Sequence, residues 1–456
     1  MKSEGDERAR SEASTVVGRV GIVPDGCRER ATRGTGAVMR PPPFDVVLLR
    51  KDFPMLHRKV NGNPLIYLDN AATTHKPLAV VEALSRFYSE EYATVHRAVY
   101  DTAVVATDKY AAARGKVARL INARFDEEVI FTRGTTDSIN LAARALGRAF
   151  VEPGDEVIIS EMEHHSNILP WQFVAKERGA ILKVLPCDER LEPDLDILRK
   201  YLTKKTKVVA MAHVTNSAGT VFPIREIVAM ARRVGAKVLV DGAQAVAHME
   251  VDVQDSGVDF YAFSGHKLYG PTGIGVLYGK KKVLDLLPPV SGGGEMVSDV
   301  TFASTTFEPT PFKFEAGTPP VAEAIGLGVA IDYVLSVGRE KIRMWKDLLV
   351  EYATERLLRT EGVRLFGRPE GHASGGRGGI VGFTVEDVHP FDIGTMLNLR
   401  GIAIRTGRLC AQPAIEKEGH FALARISFGM YNTYREVDMF IAALEEVLAD
   451  LRVVSS

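Results

Sequence analysis

Cysteine is scarce in this chain, with only Cys27, Cys187 and Cys410 among 456 residues. So few, so widely scattered, they exclude a disulfide framework and a paired-cysteine metal motif. A reducing compartment such as the cytoplasm fits, and a lone cysteine in polar surroundings becomes a nucleophile candidate. Long apolar runs are also absent, so no segment reads as a membrane-spanning helix. Nor is there an excess of one charge: 57 basic residues face 58 acidic ones, a net charge of -1, which provides no global basic field for nucleic acid. What is present, 46% hydrophobic and 25% charged residues, suits a soluble globular chain of two or three domains.

Residues 1–43 are rich in Arg, Glu, Gly and Ser and end in Pro41 to Pro43. They read as a disordered extension. Glu4, Asp6, Glu7 and Glu12 argue against a mitochondrial leader, and no apolar core suggests a secretory one. Globular sequence begins near Phe44. Short apolar runs then alternate with helical patterns: strands are predicted at 128–132, 156–160, 180–186, 207–220, 238–240 and 260–263, and helices at 103–121 and 224–234. An opening strand, PLIYLDNAAT, is predicted over 64–73. This alternation predicts an α/β fold, a three-layer sandwich around a mostly parallel sheet. From about Ala324 the pattern changes to long helices, short strands and Gly-rich turns, including an exposed loop at 371–379. A large domain is therefore expected over 44–323, with 44–60 packing on a smaller C-terminal α/β domain at 324–456.

The chain is organised around Val238 to Gly275, where two buried runs stop at Asp241 and at Ser264-Gly265-His266-Lys267. Open α/β sheets build ligand sites at such carboxyl ends. Alone, Lys267 could be a solvated loop lysine. In company with Asp241, Gln244, Ser264 and His266 it supplies the groups pyridoxal phosphate needs: an amine for a Schiff base, a carboxylate for the pyridine nitrogen, and hydroxyls or amides around the phosphate. DGAQ followed by SGHKLYGPTGIG resembles the fold-type I, class V aminotransferase family, most closely its SUF-type (group II) cysteine desulfurases.

The remaining motifs are read both by residue type and by that resemblance. Gly134-Thr135-Thr136 could be a simple helix cap or an anion site; the resemblance implies a phosphate cradle. His164 and His165, flanked by Glu161 and Glu163, suggest zinc, yet adjacent side chains diverge and no cysteine is near. The resemblance implies instead that His164 stacks on the cofactor and relays protons, with His165 structural. His213 could be buried structure, while Asn216 is expected to touch the substrate carboxylate or the cofactor's phenolic oxygen. Ala71, in the NAAT loop, and His96, in the stretch similar to NVHRG, are expected on the substrate side. FEAGTP implies that Thr318 reaches the phosphate of a neighbouring subunit, hence a homodimer with a shared site.

Cys187 ends a strand and is expected to pack as a small hydrophobe. Cys410, in GIAIRTGRLCAQP, could likewise be inert, but Arg405 and Arg408 favour a thiolate, and Gly407 and Pro413 mark an accessible loop. The segment resembles the group II pattern Arg-x-Gly-His-His-Cys-Ala, with Arg408 and Leu409 in place of the two histidines. ARISFGMYN supplies Arg425, an expected clamp for the substrate α-carboxylate along with Arg405. The resemblance therefore implies removal of sulfur from L-cysteine, giving L-alanine and a Cys410 persulfide, for a sulfur-acceptor protein in iron-sulfur cluster assembly. A selenocysteine lyase, or another class V enzyme that does not need Cys410, is the alternative.

Overall fold

The computed structural model describes residues 39–367 and 377–455. The extension read at 1–43 lies, up to residue 38, outside the described residues, as does most of the loop at 371–379.

Seven strands form the central sheet, in the order Val129–Thr132, Gly275–Gly279, Phe260–Ser264, Lys237–Asp241, Thr206–Ala212, Glu156–Ser160, Ile181–Leu185. Only Gly275–Gly279 runs against the others. The runs VIFT, EVIIS and FYAFS are buried at every position, as expected for strands covered on both faces.

Alternation along the strands divides the core in two. Ile130, Val157, Ile159, Val208, Leu239 and Leu277 face one way and meet Ile139, Ala142, Leu146 and Trp171 from the helices Thr135–Phe150 and Leu169–Arg178. Phe131, Ile158, Val209, Met211, Val240 and Phe263 face the other way, in a cluster with Tyr110, Val117, Ile227 and Leu327. The helices carrying those four are Asp101–Leu120, Ile224–Arg233 and Val321–Val337. The three-layer α/β sandwich expected from the alternation is thus the observed architecture.

A second sheet, of four antiparallel strands, has the order Val363–Leu365, Ile380–Val385, Leu423–Ser427, Arg405–Gly407. The helices Arg339–Arg359, Pro390–Leu399 and Tyr434–Ser455 pack around it. The helix Val321–Val337, which spans the boundary expected at 324, lies instead on Leu78–Arg86 and Asp101–Leu120. Near the amino end, Arg50 donates to Tyr431 O (2.6 Å) and Glu436 (2.8 Å), and Asn61 donates to Asn398 O at 2.8 Å.

Two expected strands are much shorter. The opening segment forms only Ile66–Tyr67, paired in parallel with Ile402–Ala403 rather than with the central sheet. A turn closed by Ala72 N–H to Asp69 O ends its extended course. The segment expected over 207–220 leaves the sheet after Ala212: its last ladder bond on one side is His213 N–H to Asp241 O, and on the other side Ala212 N–H donates to the Glu163 side chain at Oε1.

Candidate active site

Every parallel strand ends on the same edge of the sheet, so Ser160, Ala212, Asp241 and Ser264 are delivered together. A cavity of about 270 Å³ opens there. It is lined by Lys267, Asp241, Gln244, Ser264, His266, Thr135, Thr136, His164 and Asn216, and by Ala71, Arg405, Arg425 and Cys410 from segments distant in sequence. His96 stands apart, its ring edge-on to Tyr110 and Phe312. Thr318 lines an adjoining cavity that it shares with Thr135, Thr136, Ser264 and His266.

Asp241 is buried at the end of its strand and accepts from Ala243 N–H at 2.9 Å. Burial pushes its carboxyl above the usual carboxylate range, while that N–H and the Lys267 cation act in the opposite sense. Lys267 follows the neighbouring strand. Desolvation brings its amine down to about 8 against the opposing pull of Asp241, so it loses its proton far more readily than a solvated lysine. Over the same cavity, burial and the Lys267 cation hold His164 down at about 3, a neutral ring at physiological pH.

The cradle is held by side-chain contacts. Ser264 Oγ accepts from Thr135 N–H at 2.8 Å and lies 2.7 Å from Thr135 Oγ1, while Thr136 Oγ1 meets Ser166 Oγ at 2.7 Å. Glycine at 275 permits this approach: a Cβ there would fall 2.3 Å from Gly134 Cα. On the opposite wall Gln244 Nε2 donates to Ala71 O at 2.8 Å, and Ala71 N–H donates to Ser427 Oγ at 2.8 Å.

Arg425 comes from the second sheet. It donates through Nη1 to Asn216 O (2.9 Å) and through Nη2 to Asp69 (3.0 Å), leaving its buried Nε without a partner. Asn216 donates through Nδ2 to Leu409 O at 2.6 Å, and its buried Oδ1 is also unpartnered. Such groups are costly to leave unmade and mark where a polar ligand belongs. Cys410 is exposed at the mouth. Arg408 beside it pairs with Glu416 at 3.5 Å and covers the Phe421 ring at 4.8 Å. Cys187 is partly exposed, and burial drives its thiol far up, which leaves it a poor nucleophile.

Beneath His164 lies a carboxylate whose partners the sequence did not disclose. Glu163 is fully buried and accepts from Ser160 Oγ (2.5 Å), Asn167 Nδ2 (2.7 Å) and Ala212 N–H (2.9 Å). Burial raises its carboxyl to about 7. Asp69, within the strand predicted over 64–73, is the partner of Arg425 across 356 positions. No local pattern signals that pairing.

Pyridoxal phosphate fits this donor set. Lys267 would hold its aldehyde carbon, Asp241 its ring nitrogen, His164 the ring face, and Ser264, His266, Thr135 and Thr136 its phosphate. The unpartnered Arg425 Nε remains to donate to the carboxylate of a substrate, and Asn216 Oδ1 to accept from an N–H or O–H of substrate or cofactor.

The chain matches the family described as Aminotransferase class-V over residues 66–440. A probable cysteine desulfurase of Halalkalibacterium halodurans is 48% identical over 398 residues, covering 87% of this chain and 97% of that protein. Another, from Mycolicibacterium paratuberculosis, is 46% identical over 404 residues, covering 89% of this chain; the chain spans only 58% of that longer relative. The crystal structure of the cysteine desulfurase CsdA from Escherichia coli superimposes with a TM-score of 0.82 at 40% identity, covering 89% of this chain and 99% of that one. The chain belongs to the class V aminotransferase family and, within it, to the cysteine desulfurases.

Proposed function

We propose that this chain removes sulfur from L-cysteine, leaving L-alanine and a persulfide on Cys410. The observation that carries this reading is that Cys410 and Lys267, 143 positions apart by their numbering, line one cavity with Asp241, His164 and Arg425. When bound, pyridoxal phosphate supplies an electron sink for the bonds broken at the substrate's Cα and Cβ.

The protein residues do the rest. Arg425, through its free Nε, seats the substrate carboxylate and so points its sulfur toward Cys410, while Asn216 Oδ1 is left to accept from an N–H or O–H of the ligand. Lys267, with its lowered proton affinity, carries a proton to and from Cα. Neutral His164, which lines the cavity, would hold the ring face and keep water from it. The Cys410 thiolate attacks the substrate sulfur; an S–S bond forms as the C–S bond breaks, and the electron pair left on carbon takes a proton on the way to alanine. A second thiol, on a sulfur-acceptor protein, then removes the sulfur; the resemblance of the Cys410 segment to the SUF-type pattern supports a role in iron-sulfur cluster assembly. The reading includes a homodimer in which Thr318, exposed on its loop, reaches the phosphate site of the other copy, as the FEAGTP resemblance implies.

Alanine formed from L-cysteine, with and without reductant, tests the proposal in wild type and Cys410→Ser. The expected result is loss of alanine formation and of persulfide in the variant, with cofactor retained. Undiminished alanine from L-cysteine in the variant would remove Cys410 from the mechanism. Alanine from selenocysteine alone would favour a selenocysteine lyase.

A further inference from the structure

We propose that His165 is a positioning residue for sulfur transfer, holding the turn that presents Cys410 through its backbone N–H at the Cys410 carbonyl and through its ring at the N–H of Gln412 just after it. The inference rests on the reading of Cys410 as sulfur acceptor.

Arg408 to Ala411 form a turn closed by Ala411 N–H to Arg408 O at 2.8 Å. Both central residues are left-handed, Leu409 at φ 50° and Cys410 at φ 52°. Turns with positive φ at both centres favour Asn and Gly, whose side chains tolerate that backbone; Leu and Cys do not. A turn of this kind persists only where its surroundings hold it.

Contacts from outside the turn do so at successive points. Asn216 Nδ2 donates to Leu409 O at 2.6 Å, His165 N–H donates to Cys410 O at 2.8 Å, and Gln412 N–H donates to His165 Nε2 at 3.2 Å. His165 thus holds the chain at two successive points on the carboxyl side of the thiol-bearing Cα, and Asn216 holds it on the amino side. Its ring can accept from Gln412 only while Nε2 carries no proton, and burial lowers its proton affinity, which favours that state. His164, the preceding residue, lines the cofactor cavity. One dipeptide therefore fixes both the ring face and the sulfur-accepting turn, and the thiol is registered against the reacting carbon through adjacent residues.

The test uses holoenzyme of wild type, His165→Ala and His165→Gln, whose amide oxygen can reach Gln412 N–H. Alanine formation is followed against L-cysteine concentration under reductant. In parallel, iodoacetamide alkylation is timed on the peptide bearing Cys410, so that Cys27 and Cys187 do not contribute. Loss of one hydrogen bond predicts that His165→Ala lowers kcat about five- to tenfold. KM and cofactor content should stay within about twofold of wild type, and the Cys410 alkylation rate should change by at least about threefold. His165→Gln should restore both rates. An alanine variant with wild-type kcat and alkylation overturns the proposal, and so does a glutamine variant as impaired as alanine. If His165→Ala does not fold, His165→Asn, too short to reach Gln412, takes its place with the same expectations. Failure of the underlying reading is separate: it would show as undiminished alanine formation in Cys410→Ser, whatever the His165 variants do.

Discussion

At the scale of single residues, the environment of Lys267 makes a pH prediction. Its amine attacks an aldehyde only when neutral, and burial places its proton affinity at about 8 instead of the model-compound 10.5. The rate at which cofactor-free protein takes up pyridoxal phosphate should rise as pH increases through about 8 and level off above it. Absorbance-monitored reconstitution from pH 6.5 to 9.5 checks this, and a flat profile contradicts it. Asp241→Ala should lose cofactor affinity at least about tenfold, since a buried charged hydrogen bond of roughly 1.5–3 kcal/mol is removed from the ring nitrogen; equilibrium dialysis measures the loss. The identities of Asp241, Lys267, Cys410 and Arg425 were legible because each stands in a motif whose residue types already imply a chemistry. The contacts of Asp69, Glu163 and His165 were not, because their partners lie on other strands and turns.

At the scale of elements, the site is made by close approaches between loops. Gly275 pairs with Thr132 on one side and Ser264 on the other, and it passes Gly134 with no room for a side chain. Gly275→Ala should push the Thr135–Thr136 cradle away from Ser264. Overpacking of this kind costs about 1–3 kcal/mol, so both the melting temperature and the affinity for inorganic phosphate or cofactor should fall. An unchanged melting curve and titration would show that the cradle can yield. The opening segment shows where periodicity misled. Its apolar run was legible as extended chain, but strand pairing needs a partner edge, and the edge available was Ile402–Ala403 in the C-terminal part.

Across the whole molecule, the two sheets are joined by buried polar contacts as well as by apolar packing. Lys346, on a helix that packs on the second sheet, is 1% exposed and reaches Ala247 O at 3.0 Å beside the DGAQ segment. Burial lowers its amine to about 7. Between that value and 10.5 the unfolded chain holds a proton that the folded chain has released, so this residue's destabilising effect is full below pH 7 and is relieved as pH rises. Relative to Lys346→Met, the wild type should therefore gain thermal stability from pH 7 to 9; parallel melting curves for the two would refute the assignment. If the active site is shared, the protein should sediment at twice the mass of one chain. Thr318→Ala should then weaken cofactor binding about tenfold, the loss expected for one hydrogen bond to a charged phosphate.

By itself the sequence determined the α/β class, the strand ends that carry chemistry and the residue types gathered there, because burial period and strand-end polarity are local properties of the chain. Only the tertiary structure decided which of those residues meet. The pairing of Arg425 with Asp69, the left-handed turn at Cys410 and the clamp by His165 all depend on distant segments closing on one another, and hydrogen bonds across such distances leave no periodic trace in the chain.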